Sequence, residues 1–199
     1  MKAVLISIQP YWVFLIIARL MGWDIPQEKT VEVRKDFPKD SAWNRKTLIY
    51  CSKSMRSFRR IPAQYQPFMK KLLGKVIGEF VCDDIEDILC TTNGFPEGLQ
   101  EAWYRECNGS CLTTIDFMMY GKGKLLYGWH ISDLKIYDKP KPLGAFYSYP
   151  KRLDSDFCNH CPHHTKHPMD FPCCDCLDDN GDRKYLTRPP QSWCYVEEV

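Results

Sequence analysis

The chain has 199 residues, of which 44% are hydrophobic, so it is long enough for one domain with an appendage and apolar enough to bury a substantial core. This composition excludes a wholly disordered chain. The formal net charge is only +2, which neither requires nor excludes a polyanionic partner, because a basic face can coexist with an acidic one.

The first predicted elements are a β-strand over residues 2–8 and a helix over residues 11–21. The helix is apolar almost all round, which indicates burial in a core. It is too short to cross about 30 Å of hydrocarbon as a helix. No small-residue cleavage site follows it either, so we expect a cytoplasmic protein without a membrane segment.

Residues 29–35 alternate between polar and apolar side chains, as in a half-buried β-strand. Val31 and Val33 are predicted to lie on one face, while Glu32 and Arg34 lie on the other with Thr30. Glu32 and Arg34 are then about 7 Å apart along the strand, a spacing that suits a charge pair. Such a pair can bind a base edge or a phosphate, or it can be a structural ion pair on a barrel rim.

The spacing of Lys29 from these two residues predicts that it points away from them. A separation of three residues places Lys29 and Glu32 on opposite faces of a regular strand unless a bulge intervenes, and a separation of five does the same for Lys29 and Arg34. As enzyme groups, Lys29 and Glu32 would need to approach within about 3 Å or through one water.

The remaining elements follow in chain order. Residues 83–104 are predicted to form short helices and turns, and residues 111–120 a helix that Thr113 or Thr114 caps. Pro140 and Pro142 are expected to end the strand that precedes them. Four further segments are typical of strands, and the last of them is predicted to close the sheet: residues 47–51, 75–82, 128–138 and 192–197.

A run of basic residues and several aromatic residues are candidates for contact with nucleic acid. Residues 53–75 contain seven Lys or Arg and no acidic residue, which indicates either a solvated face or a polyanion contact. Aromatic side chains can stack a base, although a Trp more often belongs to a core. Trp129 is favoured because small and polar residues flank it; the other candidates are Tyr11, Trp12 and Trp43.

The cysteines indicate a metal site. Five of the eleven cysteines fall within residues 158–176, and no secretory signal is predicted from the sequence, so metal binding is favoured over a disulfide framework. Two Cys-x2-Cys turns separated by eleven residues can aim four sulfurs at one ion. We therefore predict structural Zn²⁺ bound by Cys158, Cys161, Cys173 and Cys176.

Other ligand sets remain open for this ion. Cys174 could replace Cys173, and a histidine among His160, His163, His164 and His167 could replace a sulfur. An iron–sulfur cluster and a redox dithiol are less consistent with the spacing. Four sulfurs would leave no coordination position for a substrate, so the predicted role of the metal is to order its loop.

The order of the motifs resembles the ASCH domain of the PUA-like superfamily, in the versions found in phage and gut-bacterial genomes. The resemblance covers most of residues 1–147 and the C-terminal strand. Each motif is short, so the specificity lies in their order: SIQP at residues 7–10, EKTVEVRK at 28–35, WHISDLKIY at 129–137 and RPPQSWCY at 188–195.

The resemblance implies an α+β fold, a small PUA-like mixed β-barrel with flanking helices. It divides the chain into a barrel (residues 1–150), a Cys/His-rich zinc loop (151–185) and a strand that closes the barrel (186–199). The ligands it implies are RNA or modified nucleobases. One bacterial branch hydrolyses N4-acetylcytidine with Lys, Thr and Glu; Lys29 matches that Lys, whereas Glu32 stands at the Thr position.

These observations predict a nucleic-acid- or nucleotide-binding protein, with RNA favoured, whose cleft is lined by Gln9, Lys29, Glu32, Arg34 and Trp129. The alternative is a small amidohydrolase that acts on N4-acetylcytidine-like substrates, with Lys29 and Glu32 as catalytic residues. A third alternative is a phage accessory protein that binds a host protein, which co-purification of a stoichiometric partner would support.

The zinc prediction is tested by metal analysis of protein purified without chelator. We expect one zinc ion per chain, and loss of that zinc when Cys158 or Cys176 is replaced by Ser. Chelation is expected to disorder residues near 155–182 while the barrel persists, because a loop of this composition buries too little apolar surface to fold alone. Protein that contains no zinc would refute the prediction.

Overall fold

A computed structural model describes residues 2–39, 45–88, 108–149 and 184–199. The α-helices that lie wholly within these ranges are α1 (Pro10–Ile17), α2 (Met55–Phe58), α3 (Gln66–Leu72) and α4 (Thr114–Gly121), and residues 108–110 are also helical. The strands are β1 (Lys2–Ile8), β2 (Val31–Arg34), β3 (Lys46–Cys51), β4 (Lys75–Val81), β5 (Ile85–Ile88), β6 (Leu126–His130), β7 (Ser132–Lys141), β8 (Phe146–Tyr149) and β9 (Trp193–Glu198).

Six strands form the larger sheet, in the order β7-β4-β3-β1-β9-β8. Its centre is β1, which pairs in parallel with β3 and antiparallel with β9. Apolar side chains of β1 are buried on both faces of the sheet, which is why the strand is a nearly continuous apolar run. Together with the helices, this sheet confirms the predicted mixed α+β class.

The smaller sheet has the order β2-β6-β5 and is continuous in sequence with the larger one. Only Ile131 separates β6 from β7, and only three residues separate β4 from β5. The described strands therefore pair as two sheets. The last strand, β9, pairs with the first strand, β1, and with β8 inside the larger sheet.

Two predicted segments differ from the structure. Within the predicted segment 83–104, residues 85–88 form strand β5, which the acidic composition of IEDI conceals, and residues 89–104 lie outside the described residues. Residues 128–138 belong to two strands, β6 and β7, and β7 continues through Pro140 to Lys141. The proline is tolerated because β7 is an edge strand whose pairing with β4 is irregular, so a missing backbone donor disrupts no second ladder.

Three apolar clusters hold the elements together. The largest joins α1 to the face of the larger sheet that includes Ile6, Ile49 and Trp193, and it also contains Trp129 of the smaller sheet. A second cluster covers the opposite face of that sheet and includes Leu5 and Phe146. The third lies between α4 and the smaller sheet and consists of Val31, Val33, Ile88, Phe117 and Leu126.

The third cluster determines how β2 is oriented. Since Val31 and Val33 point to α4, the alternation of the strand directs Glu32 and Arg34 to the opposite face, on the side of the larger sheet. The register supports this, because Glu32 lies directly opposite Trp129, a member of the largest cluster. The charged face of β2 thus points to the larger sheet and its apolar face to α4, so that both faces of the strand are buried.

Within the described residues, no helix combines the length and the apolar character that a membrane crossing requires. Helix α1 has eight residues, six of them buried, and it packs in the largest cluster. Its apolar sequence is explained by this burial.

Helix α4 begins with a reciprocal pair of capping hydrogen bonds. The Asp116 backbone N–H donates to the Thr113 hydroxyl at 3.2 Å, and the Thr113 backbone N–H donates to the Asp116 carboxylate at 2.9 Å. Of the two threonines that the sequence offers as caps, the structure selects Thr113. Thr114 is the first helical residue.

We expect Thr113→Ala to lower the free energy of unfolding by about 1 kcal/mol, because it leaves helix donors without a partner. Thr114→Ala is the matched control and should change that free energy by less than about 0.5 kcal/mol. Urea unfolding followed by circular dichroism measures both variants. Equal effects of the two substitutions would contradict the assignment of the cap.

Candidate functional site

Three charged residues of the segment around β2 meet in the interior. Lys29 is 4% exposed, Glu32 7% and Arg34 6%. Charged groups are rarely buried this completely unless they are paired. We call these three residues the charged triad.

Glu32 is the centre of the triad. One of its carboxylate oxygens lies 3.0 Å from an Arg34 guanidinium nitrogen, so the ion pair expected from the spacing is present. The other oxygen lies 3.4 Å from Lys29 Nζ. A single carboxylate is therefore shared between two cations.

The predicted separation of Lys29 from Glu32 is wrong. Alternation applies only within a strand, and Lys29 precedes the first residue of β2. Its ammonium group reaches back to donate to the carbonyl oxygens of Val31 at 2.6 Å and Ser110 at 2.8 Å. These two hydrogen bonds bring Lys29 Nζ beside Glu32 without a bulge.

Arg34 connects the smaller sheet to the larger one. Its guanidinium group donates to the carbonyl oxygen of Ser7 in β1 at 2.7 Å, and to that of Ser192, just before β9, at 3.3 Å. The Nε atom of Arg34 is buried and has no hydrogen-bond partner among the described residues. One donor of the triad is thus left unsatisfied, which is costly in a buried site.

The triad carries one more positive charge than negative charge when all three groups are ionised. Burial lowers the pKa of Lys29, and the carboxylate of Glu32 opposes that shift. Burial also raises the pKa of the neighbouring Tyr120, which Arg34 counteracts. The electrostatic environment of the triad therefore favours an additional acceptor or anion.

Aromatic side chains from the start of α1 lie beside the triad. Lys29 Nζ is 5.3 Å from the ring centroid of Trp12. The Arg60 guanidinium carbon is 5.0 Å from the same centroid and 3.9 Å from the ring of Tyr11. Tyr11 and Trp12 are half-buried and Arg60 is exposed, so this group extends from the interior to the surface.

The basic run of the sequence begins beside these rings. The Tyr11 backbone N–H donates to the Ser57 hydroxyl at 3.1 Å, which fixes α2 against the start of α1. Lys53, Arg56 and Arg59 are exposed on or next to α2. Arg60 is thus the member of the run whose side chain contacts the aromatic rings, a distinction that the sequence did not make.

The two remaining residues predicted to bind a ligand lie in different environments. Gln9 is exposed at the N-terminal cap of α1, and its side chain makes no capping hydrogen bond. Trp129 is 0% exposed and packs in the largest apolar cluster, so in this conformation it offers no ring face to a ligand. Its small neighbour Gly128 is also buried. Trp43 lies outside the described residues.

The predicted zinc ligands Cys158, Cys161, Cys173 and Cys176 lie outside the described residues, as do Cys174 and the histidines around them. The zinc site therefore stays a prediction. Among the cysteines that the structure describes, none forms a disulfide. Two of them belong to the apolar core, where burial raises the pKa of Cys51 and of Cys82 to about 12.

No family model and no curated protein matches the chain. Solved structures similar to it include an ASCH protein from Zymomonas mobilis, with 17% identity and a TM-score of 0.48 over 99% of this chain and 87% of that one. Two single-substitution mutants of that protein have 15% and 14% identity, each with a TM-score of 0.48. The first mutant is matched over 100% of this chain and 91% of its own.

We expect Glu32→Gln to lower the free energy of unfolding by about 3 kcal/mol or more, because two buried cations lose their only shared carboxylate. Glu79→Gln is the matched control. Glu79 lies 2.8 Å from Lys46 in a pair whose side chains are 20% and 35% exposed. Its loss should cost less than about 1 kcal/mol. Denaturant unfolding at neutral pH distinguishes the two, and similar losses would contradict the central role of Glu32.

Proposed function

We propose that the chain is an ASCH-type protein of PUA-like fold that binds nucleic acid, with RNA favoured, or a modified nucleotide, beside the charged triad. The observation that carries this proposal is the continuity of Arg60, the rings of Tyr11 and Trp12, and Lys29. It joins an exposed cation to aromatic faces and then to a buried cluster with excess positive charge.

The triad supplies the polar part of this site. Glu32 is an acceptor, and Arg34 retains an unsatisfied Nε donor. A base edge presents donors and acceptors together, and a phosphate presents acceptors to a guanidinium group. Either ligand would satisfy the buried donor and offset the excess charge of the triad.

The aromatic part supplies the stacking surface. A guanidinium plane on an aromatic ring occupies the position that a nucleobase takes when it stacks. Arg60 is exposed, so its side chain has room to move aside for a base and then contact the adjacent phosphate. Trp12 and Tyr11, rather than Trp129, are the stacking residues in this proposal.

The metal part of the proposal concerns the Cys/His-rich loop. Four thiolates of Cys158, Cys161, Cys173 and Cys176 would hold structural Zn²⁺, and the metal would order residues 151–185. This site supports the fold and takes no part in the proposed ligand binding.

The rival function is hydrolysis of an N4-acetylcytidine-like amide. The observation that favours it is the distance of 3.4 Å between Lys29 Nζ and Glu32, together with a pKa of Lys29 that burial lowers. However, Glu32 is shared with Arg34, and Lys29 already donates to two backbone carbonyl oxygens. Those contacts are more typical of groups that a hydrogen-bond network holds in place than of a nucleophile and its general base.

Binding is tested by fluorescence anisotropy with labelled single-stranded RNA and with DNA of the same sequence. We expect Arg60→Gln to weaken RNA binding by about fivefold to tenfold, since it removes a phosphate contact at a stacking site. The wild-type affinity should fall as salt rises, because phosphate contacts release counterions.

Arg59→Gln is the matched control because Arg59 is also exposed, adjoins Arg60 and carries the same charge. It should weaken binding clearly less than Arg60→Gln does. Equal losses in both variants would show that only the overall charge of the basic face matters, and no binding to either nucleic acid would refute the proposal.

Incubation with N4-acetylcytidine separates the rival function. If the protein is a binding module, no deacetylated product accumulates with the wild type. Turnover by the wild type that Lys29→Met abolishes, in a variant whose circular dichroism shows it to be folded, would establish the hydrolase instead.

A further inference from the structure

A second cluster of chemically active side chains lies on the smaller sheet, apart from the charged triad. It consists of Asp84, Glu86 and His130, whose carboxylate oxygens and imidazole nitrogen all lie within 4.8 Å of one another. Asp84 precedes β5, Glu86 lies in β5 and His130 is the last residue of β6. We call these residues the Asp-Glu-His group.

The pairing of β5 with β6 places the three side chains on one face. Ile85 is opposite Trp129, so Asp84 is opposite His130, and the His130 backbone N–H donates to the Asp84 carbonyl oxygen at 3.0 Å. Glu86 is opposite Gly128, two residues before His130 in β6, so Glu86 and His130 point to the same side of the sheet, and the Asp84 carboxylate lies within 4.8 Å of both groups. The backbone thus fixes the three side chains as neighbours.

This face is the opposite one from the triad. Trp129 and Glu32 point to the interior, whereas His130 is paired with Val31, whose side chain belongs to the cluster under α4. Asp84 is exposed, and Glu86 and His130 are half-buried. An ion can therefore reach the group from solvent, and water can complete its coordination.

We infer that Asp84, Glu86 and His130 form a binding site for a divalent transition-metal ion. Two carboxylate oxygens and one imidazole nitrogen are the donors that Mn²⁺, Fe²⁺ and Zn²⁺ accept, and they differ from the thiolates of the Cys-rich loop. Ions of this class hold such ligands at about 2.0–2.2 Å, which places neighbouring ligand atoms about 3–4 Å apart.

The distances in the group require only small side-chain adjustments to reach this geometry, because the upper limit is 4.8 Å. The charge also fits. Two carboxylates would neutralise a dication, and among the described residues no lysine or arginine forms an ion pair with Asp84. Arg45, the residue before β3, donates to the backbone carbonyl oxygens of Cys82 and Asp83.

The test uses Mn²⁺, because this hard ion binds thiolates poorly and so avoids the Cys-rich loop. Zinc-replete, full-length protein is titrated, and free Mn²⁺ is followed by its electron paramagnetic resonance signal. We expect one bound Mn²⁺ per chain. Glu86→Gln, Asp84→Asn and His130→Ala should each weaken binding by at least about tenfold, the lower end of the loss seen for disrupted metal sites.

Asp83→Asn and Asp87→Asn are the matched controls, since each removes one exposed carboxylate next to the group without changing a proposed ligand. Both should leave the affinity unchanged. Absence of Mn²⁺ binding up to about 1 mM, the weak end of protein cation sites, would overturn the inference. So would equal losses in ligand and control variants.

Two of the ligand substitutions, Glu86→Gln and Asp84→Asn, preserve side-chain shape, so the test does not depend on the folding of His130→Ala. Circular dichroism of the metal-free variants confirms that each is folded before it is titrated. The result is independent of RNA binding, because the group lies on the other face of the sheet from the proposed nucleic-acid site.

Discussion

The sharing of the Glu32 carboxylate between Lys29 and Arg34 is the constraint on which the arrangement of the two sheets depends. A carboxylate buried to this degree must be paired, and each cation also needs acceptors for its remaining donors. Lys29 finds them in backbone carbonyls of β2 and Ser110, and Arg34 finds them at Ser7 and Ser192. The triad consequently fixes the segment before β2, the residues before α4 and the end of the β1–β9 ladder relative to one another.

Stability alone does not explain this network, and one of its buried hydrogen-bond donors has no partner among the described residues. Buried ion pairs gain little net stability, because desolvation offsets much of the attraction between the charges. A structural role alone would be met by one cation and one carboxylate, whereas the triad has an extra cation and an Arg34 Nε that finds no acceptor among the residues that the structure describes. That surplus, beside aromatic rings which reach the surface, is the physical argument for a ligand at this position.

The two faces of the smaller sheet carry different groups of charged residues, because side chains alternate along each strand. The face that points to the larger sheet presents Glu32 and Arg34, and the other face presents the Asp-Glu-His group near the edge of the cluster under α4. Because successive residues of a strand point to opposite sides, Trp129 is buried in the core, whereas its neighbour His130 is half-buried on the other face. A proposed nucleic-acid site and a proposed cation site can therefore occupy three short strands without competing for space.

Periodicity in the sequence determined much of the architecture. The strands β1, β3, β4 and β9, the helix α4 and the pairing of Glu32 with Arg34 follow from local patterns, because alternation and capping are properties of neighbouring residues. Only the tertiary structure decided that the charged face of β2 points to the larger sheet, because that depends on the packing of Phe117 and its cluster against Val31 and Val33. The approach of Lys29 to Glu32 also depends on Ser110, which is 81 residues away and supplies the acceptor that turns the lysine inward.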